Sequence, residues 1–216
     1  MVKNLSKYSA LIFDLDGTLY YQKPVRLLMF LRLILYYTLR PYRIKELLVL
    51  KKYRQLRETR FGTDSPDFEE KQVLEVSKRF LILPEDVRSL LKTWLINKAL
   101  FAVKIFKKRK LLRHIEEFQK LGVIVVIYSD YPVKEKLQAI NFRPDYFFYS
   151  NDNLIRCMKP DPGGLLRIID FLKLNKEFVL YVGDRDERDG LCAQLAGVDY
   201  LDVKEFEKIS AVKYLN

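Results

Sequence analysis

The sequence predicts an α/β fold, a doubly wound parallel sheet carrying an inserted all-helical unit, and three features predict it. Short apolar runs recur at Tyr8–Phe13, Val123–Tyr128 and Phe178–Val182, and each gives way to a hydroxyl or acidic residue. Stretches with helical spacing separate the later runs; strands that alternate with helices form a parallel sheet, because right-handed crossovers lay the helices on both faces. From about residue 21 to 101 only the helical pattern occurs.

Tyr8–Phe13 ends at an Asp-Gly turn and reads as a buried first strand with an acidic tip. The helical stretch that follows is broken at Pro41, at the FGTDSPD segment and at Pro84. A helix is then expected near Lys107–Leu121, and after Gly122 the β-branched run Val123–Tyr128 forms a strand ending at Ser129-Asp130. Further on come a helix near Val133–Ile140, a strand over DYFFYS, a helix near Gly163–Leu172, and the strand Phe178–Val182 ending at Gly183-Asp184. Residues 1–20 and 102–216 thus make the core and 21–101 the helical insertion. Ligands of such sheets bind beyond the carboxyl ends of the strands, where Asp14, Ser129 and Asp184 are expected to converge.

The chain has 216 residues, 49% apolar and 31% charged, enough for a sizeable core and too apolar for a disordered segment. Cys157 and Cys192 lack CxxC spacing and are expected to be inert core residues in a reducing compartment. The start MVKNLSKYSA has no apolar signal segment, so the cytoplasm is the expected location. The single histidine, His114, excludes HExxH metal sites and a Ser/His/Asp triad, and its basic amphipathic surroundings place it on a helix surface. Catalysis must rest on carboxylates, lysine or hydroxyls.

Asp14-Leu15-Asp16-Gly17-Thr18-Leu19 sets two carboxylates two residues apart where a strand opens into a glycine turn. Such a pair can divide the work: one carboxylate attacks, the other protonates the departing oxygen and then activates water. Ser129 offers a hydroxyl at a strand end, Lys159 in Met158-Lys159-Pro160-Asp161-Pro162 a fixed point charge, and Gly183–Asp189 an acidic loop able to hold a hard cation. Singly each is weak; in order, at one sheet edge, they form a set.

That ordered set, DLDGTL, the strand ending in Ser129, KPDP and VGDRDERD, resembles the motifs of the haloacid dehalogenase superfamily, whose core is Rossmann-like with a helical cap inserted after the first motif. The resemblance implies Asp14 as nucleophile and Asp16 as general acid/base, with Ser129 and Lys159 on the transferring phosphoryl group. It places Thr18 and Asp130 on the substrate side. It implies magnesium (Mg2+) as cofactor, held by Asp14, by Asp16 through its backbone carbonyl, and by Asp184 and Asp189. Dehalogenating relatives generally lack an aspartate at the position of Asp16, so the resemblance favours a phosphatase, phosphoglycolate phosphatase-like in motif layout and acting on a small phosphomonoester through an aspartyl-phosphate. A phosphomutase, or a non-catalytic anion- or membrane-binding module on the same fold, are the alternatives. A raised pKa is expected for Asp16, from the carboxylate of Asp14. Tyr20-Tyr21-Gln22 departs from the polar turn that many relatives carry after DGTL.

The segment Tyr21–Arg60 carries eleven Lys/Arg against two Glu, which accounts for +9 of the net charge of +11. A solvated face, a polyanionic substrate, an acidic partner or an anionic membrane surface all fit such a segment, and no nucleic-acid motif accompanies it. Val25–Leu39 is apolar at 12 of 15 positions, too short and too interrupted by Arg26 and Arg32 to span a bilayer. A helix apolar on most sides is expected first in a core or dimer interface, and second at a membrane surface.

Overall fold

The structure, a computed structural model, describes residues 5–59 and 68–209. Five strands, β1 (Ala10–Phe13), β2 (Ile124–Ser129), β3 (Tyr146–Tyr149), β4 (Val179–Gly183) and β5 (Asp199–Asp202), form one parallel sheet in the order β3-β2-β1-β4-β5. Among the described residues six α-helices lie between β1 and β2: α1 (Gln22–Thr38), α2 (Ile44–Thr59), α3 (Phe68–Phe80), α4 (Pro84–Leu91), α5 (Lys98–Ile105) and α6 (Arg109–Lys120). Then α7 (Lys134–Ile140) leads to β3, α8 (Gly163–Phe171) to β4, α9 (Leu191–Ala196) to β5, and α10 (Val203–Phe206) follows.

Alternation along the strands divides the core. Leu11, Phe13, Val125, Ile127, Leu180 and Val182 pack on one face against α6, α7 and α10, whereas Ala10, Ile12, Val126, Tyr128, Val179 and Tyr181 pack on the other against α8 and α9. Strands buried on both faces read as continuous apolar runs, which is why β1, β2 and β4 were predictable. The edge strand β5 was not: DYLD holds only two apolar residues between two acids, and its residues are only half-buried. Its signal was Gly197, which ends α9 in a left-handed conformation.

Because β1 starts the sheet and the chain winds outward from it to both sides, the strand order reverses at β1, where a crevice opens. Register brings the strand ends level: Phe13 lies opposite Ile127 and Val182, so Asp14 emerges beside Tyr128 and Gly183, and its N–H donates to Val182 O at 2.9 Å.

The inserted helices leave and rejoin the sheet at one point, where Tyr21 N donates to Phe106 O at 2.9 Å and Lys108 N to Leu19 O at 3.0 Å. They carry their own apolar cluster, including Tyr37, Tyr53, Val73, Val76, Val87 and Trp94. Pro41 opens a short 3-10 turn between α1 and α2, and Pro84 is the first residue of α4; the FGTDSPD break lies outside the described residues. Along α1 only Val25 and Tyr37 are buried, and a row of leucines faces solvent, so it is not enclosed in the core of this chain. Among the described residues no helix is long and apolar enough to cross a membrane. Both cysteines are buried thiols, and burial pushes the Cys192 thiol up to about 12. His114 is not on an open surface; it packs edge-on against Phe118 and beside Phe206.

Candidate active site

The carboxyl ends of β1, β2 and β4 bring the four sequence motifs together. Lys159 is buried, and its Nζ donates to Asp14 Oδ1 at 2.6 Å, to Asp189 Oδ1 at 2.6 Å and to the Tyr181 hydroxyl at 3.0 Å. Burial disfavours its charge, but two carboxylates in contact more than compensate and hold the ammonium well above its ordinary range. Asp14, also buried, is pushed well above the carboxylate range by desolvation, with Asp189, Asp184 and Asp16 adding repulsion against the pull of Lys159.

One oxygen each from Asp14, Asp184 and Asp189 lie within 4.8 Å of one another. Two glycines allow this crowding. Gly17 has φ +110°, and a Cβ there would stand 2.1 Å from Asp184 Oδ2; at Gly183 a Cβ would meet Asp189 at 2.5 Å. A single π-type turn at Asp186–Gly190 swings Asp189 inward, a local geometry frequent at functional sites. Asp184 Oδ1 is buried and has no hydrogen-bond partner among the described residues. Clustered anionic oxygens, one of them orphaned, fit a hard divalent cation such as Mg2+. The side chain of Asp16 lies outside this cluster.

Burial and the neighbouring Asp189 push the Asp184 carboxyl up to about 6. Its folded value thus lies above the ordinary 3.8, so ionising it opposes folding, and stability is lost as pH rises between those values. A cation takes the ionised form only. If these oxygens hold magnesium, the rise in melting temperature that it confers is therefore expected to grow from pH 3.8 to about 6. A magnesium effect that is flat or shrinking across that window would remove Asp184 from the metal site.

Asp16 reverses the sequence expectation. Desolvation raises its pKa, yet Lys136 Nζ, at 2.5 and 2.7 Å from its two oxygens, and the Tyr20 hydroxyl, which donates to it, outweigh that and leave the value lowered. Neither partner was expected. Tyr20 is the residue at which the sequence leaves the family pattern, and Lys136 sits on the buried stripe of α7 with Val133, Leu137 and Ile140, where a lysine is out of place. That stripe was the available signal.

Ser129 Oγ lies 3.5 Å from Asp16 Oδ2 and accepts from Tyr131 N at 3.2 Å. Thr18, fully buried, donates to Asp14 Oδ2 at 3.3 Å. Asp130, expected on the substrate side, has both carboxylate oxygens committed inside the protein: Oδ2 to Arg188 at 3.0 Å, Oδ1 to the Ser150 hydroxyl at 2.9 Å and to the Lys159 N–H at 3.0 Å. Above these groups opens a cavity of about 960 Å³ between the sheet edge and α1, α2 and α5.

An aspartate paired with a buried lysine, with a second aspartate two residues on, thus stands at the edge of a doubly wound sheet. Residues 8–197 match the haloacid dehalogenase-like hydrolase family, and the chain belongs to it. Solved structures share the fold. The 2-haloacid dehalogenase of Pseudomonas syringae pv. tomato DC3000 aligns with a TM-score of 0.58 at 16% identity, over 89% of this chain and 85% of its own. The HAD-hydrolase YfnB of Bacillus subtilis, solved with magnesium bound, gives 0.53 at 17%, over 89% and 87%. A HAD phosphatase of Thermococcus onnurineus gives 0.51 at 16%, over 88% and 84%. At these identities the likeness is one of fold. No curated protein matches the chain by sequence.

Proposed function

We propose that the protein is a magnesium-dependent phosphatase that cleaves a phosphomonoester through an aspartyl-phosphate on Asp14. The observation that carries this reading is the pair Asp14 and Asp16 at one sheet edge, the first on Lys159 and the second on Lys136. Asp14 attacks phosphorus while Lys159 and the Ser129 hydroxyl hold the phosphoryl oxygens. Asp16 protonates the departing oxygen and then takes a proton from the water that hydrolyses the acyl phosphate. Lys136 keeps Asp16 ionised in the free site; an arriving phosphate dianion adds like charge beside it and favours the protonated form that the first step needs. Magnesium, held by Asp14, Asp184 and Asp189, would neutralise the substrate's negative charge. Thr18 and Asp130 act as positioning residues, on Asp14 and on the Lys159 backbone.

A dehalogenase fold lies close to this one, but a halide leaves without a proton, and the buried Tyr20–Asp16–Lys136 group then has no task. Residues 21–101 would act as the cap that closes over the site and selects the substrate.

Inorganic phosphate and halide release should be measured from a panel of phosphomonoesters and 2-haloacids, with and without magnesium. Magnesium-dependent phosphate release is expected. Halide release alone would replace the reading with dehalogenation, and isomerised rather than hydrolysed sugar phosphate would make the enzyme a mutase. Lys136→Met should raise the pKa of Asp16, moving the limb at which kcat/KM falls with increasing pH to higher pH; an unshifted limb would take Asp16 out of the acid role.

A further inference from the structure

The cavity above Asp14 constrains what the phosphate is attached to, an inference that rests on the phosphatase reading. Its floor is polar, and its walls are mainly apolar, with Gln22, Gln55 and three basic side chains among them. Val25, Met29 and Leu33 recur at four-residue intervals on one face of α1, and Leu47 and Leu50 of α2 and Trp94 line the same space. From Val25 to Leu33 the wall runs about 12 Å along the helix axis. At about 960 Å³ the cavity lies near the upper end of the roughly 300–1,000 Å³ typical of pockets that enclose drug-sized ligands. The stripe of Val25, Met29, Leu33, Leu47 and Leu50 offers no hydrogen-bond partner to the hydroxyls of a sugar phosphate, and burying them against it is costly. An alkyl chain gains from it with every methylene.

Arg26, Lys51 and Arg54 line the same cavity and set positive charge along the path of an entering phosphate. The opposite side of α1 carries a second apolar row, Leu27, Leu31 and Leu35, exposed to 60, 53 and 63%. This row belongs to the segment that supplies +9 of the net charge. An exposed apolar row among cations is the pattern with which a helix meets an anionic lipid surface. We propose that the substrate is an amphiphilic phosphomonoester, its apolar chain lying between α1 and α2 and its phosphate on Asp14, drawn from an anionic lipid surface on which the outer face of α1 rests.

Trp94 is the sole tryptophan and lines the cavity, so its fluorescence reports occupancy directly. The magnesium-loaded protein should be titrated with ethyl-, hexyl- and decylphosphonate below their micelle concentrations. Affinity is expected to rise about fourfold for each methylene buried until the wall is covered, and kcat/KM for the matching alkyl phosphates to rise in parallel. Leu33→Gln should flatten both trends. Vesicles containing phosphatidylglycerol should sediment the protein, and pure phosphatidylcholine vesicles should not.

Affinity and kcat/KM independent of chain length, with glycerol 3-phosphate preferred to decyl phosphate, would overturn the substrate class while leaving the phosphatase standing. Chain-length-dependent binding with no phosphate released from any ester would support the apolar site and sink the phosphatase reading instead. A protein that ignores anionic vesicles and sediments as a dimer would assign the outer face of α1 to a second copy and overturn the lipid surface.

Discussion

Asp14→Asn is expected to lower magnesium-dependent turnover by on the order of 10⁴-fold or more, the scale seen when a covalent nucleophile is removed, while the fold survives. The amide is nearly isosteric: its oxygen can still accept from Lys159 and its NH2 can donate to the Thr18 hydroxyl, where the two carboxylate oxygens now accept at 2.6 and 3.3 Å. It cannot attack phosphorus. Stability should move the other way. Burial and three neighbouring carboxylates hold Asp14 well above the ordinary range, so the ionised form opposes folding at neutral pH, and replacing it with a neutral group relieves that opposition. The metal-free variant is therefore expected to melt at or above the wild-type temperature near pH 7. Phosphate release within tenfold of wild type would remove Asp14 from the chemistry, and a variant that fails to fold would mean that Asp14 serves the structure first.

The sheet and the four motifs were legible because both depend on local pattern. A strand buried on both faces must be apolar throughout, and a polar group at its end is conspicuous, so Asp14, Ser129 and Asp184 could be placed beyond their strands before any geometry was known. What tertiary packing decides was not legible. Lys136 reaches Asp16 from α7, 120 residues away in sequence, and this reversed the expected direction of the Asp16 pKa. Arg57 is likewise a cation on the apolar stripe of its helix, with Val49, Leu50, Tyr53 and Leu56, and it is buried. In both helices the clue was a basic residue where the periodicity calls for an apolar one. The apolar excess of α1 was visible too, but its division into a face toward the cavity and a face toward solvent depends on how α2 and α5 lie beside it.

Asp130→Ala is expected to destabilise the protein by about 3–5 kcal/mol, the usual cost of removing one partner of a buried ion pair, equivalent to a fall in melting temperature of roughly 6–20 °C for a chain of this size. Asp130 joins parts that are distant in sequence. Its carboxylate accepts from Arg188, from Ser150 and from the Lys159 N–H, and its backbone carbonyl accepts from Arg57, whose own carbonyl accepts from Arg188 at 3.4 Å. Removing the carboxylate takes the anion from a buried guanidinium and frees the backbone that seats Lys159 on Asp14. Activity should therefore fall with stability, in contrast to Asp14→Asn, where the two separate. Asp130→Asn keeps the shape and an acceptor, and should recover part of the loss. The cycle with Arg188→Ala isolates the pair: once the guanidinium is gone, deleting Asp130 should cost clearly less than it does in the wild type. Strictly additive losses would mean that the Asp130–Arg188 contact carries no coupling, and that Asp130 acts through Ser150 and the Lys159 backbone alone.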